Sequence, residues 1–76
     1  MPHVIIKMYA GRSAAEKTDI AAAVAKAVME SAKSPDQAIS VSIEDIAPAD
    51  WVETVYKPDI VGKPDELFKK PGYDPL

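Results

Sequence analysis

The chain has 76 residues, no cysteine, one histidine, one arginine, seven prolines and a formal net charge of −3. A domain of this size buries only roughly 60 % of the surface its unfolded chain exposes. Neither disulfides nor a thiolate metal site can reinforce it, which leaves oligomerisation as the expected support. Twelve acidic residues outnumber nine lysines and arginines, and no basic stripe follows the chain, which argues against a nucleic-acid partner. No apolar run reaches the length of about 18 residues that a membrane span needs, and the N-terminus lacks a basic region followed by a hydrophobic leader. A cytoplasmic protein with no membrane partner is the expectation.

Pro2 to Tyr9 is rich in β-branched residues and alternates, with Val4, Ile6 and Met8 on one face and His3, Ile5, Lys7 and Tyr9 on the other. This predicts a strand. Ala10-Gly11 breaks it, and Ser13-Ala-Ala-Glu16 has the form of a capping box, in which serine and glutamate satisfy free amides at a helix start. A helix is predicted from Ala14 to about Lys33. Its buried side would carry Ile20, Val24, Ala27 and Val28, with Ala21, Ala25 and Ala32 beside them, and its charges would face solvent. Ser34-Pro35-Asp36 ends it, because the residue before a proline avoids helical geometry. Ala38 to Glu44 alternates again, with Ile39, Val41 and Ile43 opposite Ser40, Ser42 and Glu44. Strand, long helix and strand make a βαβ unit, expected as a right-handed crossover between parallel strands. The predicted class is therefore α/β.

Five of the seven prolines lie from Pro48 onward, and the pattern changes there. Pro48 to Tyr56 reads as a short helix that Pro58 ends or kinks, and Pro64 to Lys70 as a helix of one or two turns. No repeat or linker divides the chain, so residues 1–76 are read as one domain with a βαβ core over 2–47 and a C-terminal arm over 48–76. The arm holds the only Trp, the only Phe and two of three tyrosines. Aromatic groups in so short a segment need an apolar surface to cover, and a neighbouring subunit can supply it.

The residue with the most distinctive chemistry is Pro2. Removal of the initiator methionine would leave it as a free secondary amine, a group no other residue supplies. Burial and a nearby cation would lower the pKa of its conjugate acid toward neutrality, so that it can act as a base. Pro2 opens a strand, and Arg12, the only arginine, lies at the strand-to-helix turn. Met-Pro, strand, Gly11-Arg12-Ser13, alanine-rich helix and β-branched strand together resemble the 4-oxalocrotonate tautomerase family of the tautomerase superfamily. The tail, with Trp51 and Lys69-Lys70-Pro71-Gly72-Tyr73, is most similar to its short bacterial PptA-type branch. The resemblance implies Pro2 as general base and then acid in a keto-enol shift, without metal or cofactor. It implies Arg12 as the anchor of a substrate carboxylate and Trp51 as an apolar pocket wall.

This chain departs from the family where a second arginine is expected to polarise the carbonyl oxygen, because Ser40 stands there. A hydroxyl donates one neutral hydrogen bond and stabilises an enolate less than a guanidinium does. A monocarboxylate with an aromatic or apolar body fits Arg12, Ser40 and Trp51 better than a dicarboxylate. The expected architecture is a homodimer, with a hexamer as the other choice, whose strands form a four-stranded sheet with two helices on one face. The expected function is tautomerisation of a small, phenylpyruvate-like 2-oxo acid. Two alternatives stand beside it: a hydratase, dehalogenase or decarboxylase on the same fold, and an oligomeric binding module in which Pro2 is incidental. His3 is expected as a packing or surface residue. Tyr56 and Tyr73 are left open between reaching the pocket and sealing the arm.

Overall fold

The computed structural model describes residues 1–76. Strand β1 (His3–Tyr9) leads through a turn to helix α1 (Ala14–Ala32), and β2 (Ser40–Ile46) returns parallel to β1, with His3 opposite Ser40 and Tyr9 opposite Ile46. The protomer is thus an α/β protein built on one βαβ unit. Side chains facing each other across this register share a face. Val4, Ile6 and Met8 lie with Val41, Ile43 and Asp45 on one side, and His3, Ile5, Lys7 and Tyr9 with Ser40, Ser42, Glu44 and Ile46 on the other. An ion pair from Lys17 of α1 to Asp45, at 2.8 Å, identifies the first of these as the helix side.

The start of α1 follows the predicted capping box. Ser13 Oγ accepts the Glu16 N–H at 3.1 Å, and Glu16 Oε1 accepts the Ser13 N–H at 3.0 Å. At the other end Lys33 takes a left-handed conformation (φ 57°). Ile20, Val24 and Val28, with Ala21 and Ala25, are half-buried as expected, but Ala27 and Ala32 are exposed and Met29 is half-buried instead. The reason is the four-residue spacing of 20, 24, 28 and 21, 25, 29, which makes one stripe and leaves 27 outside it. Lys17, expected in solvent, is drawn in by Asp45. The second strand begins two residues later than its alternation suggested, because Asp36–Ala38 forms a single 3₁₀ turn before it.

The arm departs most from expectation. After a 3₁₀ turn at Pro48–Asp50, a helix of ten residues, Val52–Val61, runs straight through Pro58. It does so as a π-helix. Proline has no N–H, and in an α-turn its ring would clash with the carbonyl four residues earlier. The wider i to i+5 ring relieves that conflict, and its closing bond is Gly62 N–H to Lys57 O at 2.8 Å. Gly62 is needed there, since a Cβ would stand 2.7 Å from the Pro58 carbonyl oxygen. Pro64–Glu66 makes only one 3₁₀ turn, short of the predicted helix.

The π-helix crosses the sheet face that α1 does not use, where Lys7 of β1 pairs with Asp59. Only two residues of the protomer are buried, Val55 at 5 % and Tyr56 at 8 % exposure, and both belong to the π-helix. Helix α1 has no fully buried residue, and Ile5 in mid-strand is 58 % exposed. No helix is long and apolar enough to cross a membrane.

Two measurements check these contacts. Val55→Ala should lower stability by about 2 kcal/mol in thermal unfolding, since it empties the one region where the arm is packed. The Glu16 carboxyl is held below the usual range, first by the Ser13 backbone N–H and then by its hydroxyl. Its contribution is therefore full above the unfolded value and is lost as pH falls through the folded one. The stability gap between the wild type and Glu16→Gln should be open at neutral pH and close below about pH 4.

Candidate active site

Pro2 is half-buried at the start of β1, and its carbonyl accepts the Ser40 N–H at 3.2 Å. Met1 before it is wholly exposed, so its loss removes no packed contact. His3 and Ser40 face each other across the register, and His3 Nδ1 lies 2.7 Å from Ser40 Oγ. Pro2, His3 and Ser40 thus meet at one end of the sheet.

Arg12 lies past the other end of β1, and Trp51 lies beside Tyr9, the last residue of that strand. Gly11, with φ of +128°, lets the chain turn from β1 into α1 in a conformation that side-chain-bearing residues rarely adopt. Arg12 follows it, with its guanidinium 3.9 Å from Glu16 and both side chains more than half exposed. Such a pair is weak, so the planar fork of donors remains available to a carboxylate. Trp51 precedes the π-helix and stands edge-on to Tyr9, with ring centroids 5.3 Å apart at 82°. Its indole Nε1–H donates to the Tyr73 hydroxyl at 2.9 Å. Tyr73 leans on Tyr56, at 5.7 Å and 44°.

Seven strand residues separate the two groups, about 20 Å at the rise of an extended chain. The four residues singled out from the sequence therefore fall in two places, Pro2 with Ser40 at the start of β1 and Arg12 and Trp51 toward its far end.

Two hollows flank Trp51. One of about 370 Å³ lies between Ile5 and Lys7 of β1 and Val55, Asp59 and Ile60 of the π-helix; the other, of about 210 Å³, is walled by Tyr9, Trp51 and Tyr73. Sequence reasoning did not single out the Lys7–Asp59 pair or the place of Tyr9 beside Trp51, because each joins segments some forty or more residues apart and only the return of the arm reveals them. In that ion pair the hydrogen bond to Asp59 holds the Lys7 ammonium above its ordinary range. No three potential ligands among His, Asp and Glu converge on a metal position.

The model of a family described as tautomerase enzyme matches residues 2–55. The chain belongs to the tautomerase family. It is accordingly a tautomerase, an isomerase by reaction class. It is 40 % identical over 76 residues to a probable tautomerase of Xylella fastidiosa (strain 9a5c), covering 100 % of this chain and 93 % of that one. It is 38 % identical over 74 residues to tautomerase PptA of Enterobacter sp. (strain 638), covering 96 % and 97 %. Its fold is similar to the crystal structure of TomN, a 4-oxalocrotonate tautomerase homologue in the tomaymycin biosynthetic pathway. That match has a TM-score of 0.63 and 28 % identity, and covers 66 % of this tautomerase and 77 % of TomN.

Burial first, and then the neighbouring Asp74 carboxylate, push the Tyr56 hydroxyl above its ordinary range. The neutral form is the one that folding favours, so this contribution holds below the unfolded value and is lost as pH rises through the folded one. In an absorbance titration of the tyrosines, one component should ionise above about pH 10, with loss of the tail contacts, and Tyr56→Phe should remove that component.

Proposed function

We propose that the chain catalyses cofactor-independent keto-enol tautomerisation of a small 2-oxo or enol carboxylic acid of the phenylpyruvate kind. Pro2, freed by loss of Met1, is the general base and then the acid. Its amine takes a proton from the enol oxygen or from the carbon beside the carbonyl. The electron pair left behind spreads over the enolate, and the proline then returns the proton at the other position. Arg12 holds the carboxylate, Trp51 lies against the apolar body, and Ser40 offers one neutral hydrogen bond to the developing oxyanion.

The observation that supports this reading is the division of the site into complementary halves at opposite ends of β1. Both strands of a two-stranded sheet have an open edge. A second copy pairing antiparallel along the free edge of β1 would bring Pro2 and Ser40 alongside the partner's Arg12 and Trp51, and a four-stranded sheet with both helices on one face would result. We therefore propose a homodimer in the cytoplasm, with residues 1–76 acting as one domain. The π-helix already occupies the face opposite α1, which favours a dimer over a larger ring. The same contact would bury the proline amine and lower its pKa.

Pro2→Ala keeps a free amine but loses the secondary one, and should lower turnover of phenylenolpyruvate by about 100-fold or more. Full activity in that variant, or in protein retaining Met1, would overturn the role. Mixing Pro2→Ala with Arg12→Ala protein under exchange of subunits tests the shared site. Half the dimers are then mixed and each has one intact site, so about a quarter of wild-type activity should return. No recovery would place both residues in the same copy's site.

A further inference from the structure

The C-terminal tail lies beyond residues 2–55, which the family model matches, yet one of its residues reaches the candidate site. Indole N–H is only a donor, so in the 2.9 Å contact the Tyr73 oxygen accepts the Trp51 proton. The ring of Tyr73 has a second anchor in Tyr56, one of the two buried residues of the protomer. Asp74 stands close to the Tyr56 hydroxyl as well. Tyr73 is thus fastened at its oxygen and along its ring, while 47 % of its surface stays exposed.

That exposed surface bounds the hollow of about 210 Å³ shared with Tyr9 and Trp51. The hollow is open to solvent on one side, so a ring can lie against its aromatic walls without being enclosed. Three aromatic walls favour a flat ring in offset or edge-on contact over an alkyl body of equal size. Arg12 leaves the same end of β1 only three residues after Tyr9.

From this arrangement we infer that Tyr73 is a specificity-determining residue: it forms the third wall of a box for an aromatic ring whose carboxylate is held by Arg12. The tail supplies the preference for aryl over alkyl acids. This deepens the tautomerase reading and rests on it for the identity of the carboxylate anchor, but binding of the ring does not require the proline to act as a base.

Trp51 is the only tryptophan, so its fluorescence reports the box directly. Phenylpropanoate and cyclohexylpropanoate, which carry the same carboxylate and spacer and cannot tautomerise, are titrated into Pro2→Ala protein and into the same protein with Tyr73→Ala or Tyr73→Phe. Phenylpropanoate should bind more tightly than its cyclohexyl analogue, and Tyr73→Ala should shrink that ratio about tenfold, some 1.4 kcal/mol. Tyr73→Phe keeps the wall but not the acceptor for Trp51, and should retain most of the ratio. An unchanged ratio in Tyr73→Ala, or equal binding of both acids by the parent protein, would overturn the inference. Ring selectivity in Pro2→Ala protein, together with no turnover of any enol by the wild-type protein freed of Met1, would support the box and sink the tautomerisation mechanism, so the two failures are separable.

Discussion

The parallel pairing of β1 with β2 governs the rest of the molecule. Parallel neighbours need a crossover, and α1 provides it, so β2 begins at the same end of the sheet as β1. Pro2 stands at the entry and Arg12 just past the exit, with seven strand residues between them. An antiparallel hairpin would have returned the second strand from the exit end and left the helix free to lie elsewhere. The crossover instead returns Ser40 to a place opposite His3, beside Pro2, while the extended length of β1 keeps Arg12 away from them. Any chemistry that needs both must draw on more than one copy, and a two-fold axis beside β1 meets that need because it exchanges the ends.

The distribution of burial agrees with this. A βαβ unit of two short strands has too little area to enclose a core, and its helix remains only half-buried along its apolar stripe. The two buried residues sit in the arm, where the π-helix packs against the other sheet face. Packing in a single copy is therefore strongest around the π-helix, while both strands keep an open edge. An amine that must lose its proton near neutrality needs low-dielectric surroundings. One copy gives Pro2 only partial burial, so stabilising the fold and tuning Pro2 as the proposed base would call for the same missing surface.

The βαβ unit was legible because its signals are local. Alternation over His3–Tyr9, a serine and a glutamate three residues apart, and Pro35 after the helix each act within a few residues, and each appears where the sequence put it. Pro2 before β1 and Arg12 in the turn between β1 and α1 also lie where the sequence placed them. What escaped was non-local. Pro58 reads as a helix breaker unless the turn around it widens, and the wider turn requires Gly62, four residues on, to let the Pro58 carbonyl approach. On α1 the four-residue spacing from Ala21 and Ala25 is what takes in Met29 and leaves out Ala27. The division of the four site residues between two ends follows from strand length, which was readable, but the place of Tyr73 against Trp51 depends on a tail with no regular period.

Ser40 carries the chemical consequence of this design. Its hydroxyl has one proton, and His3 Nδ1 lies within hydrogen-bond distance of it. Where Nδ1 is the unprotonated nitrogen, Ser40 donates to it and has no proton left for a substrate oxygen. Where Nδ1 carries a proton, His3 donates to Ser40, and the hydroxyl proton is free to point elsewhere. A guanidinium would offer several donors and a full charge regardless of its neighbour. In the proposed shared site, stabilisation of an enolate would depend on the tautomer of the adjacent imidazole, and the larger share of the anionic charge would fall to Arg12 from the far end of another copy's strand. Under that proposal, affinity for the carboxylate and stabilisation of the enolate would be separate functions of separate half-sites, and each could be weakened without removing the other.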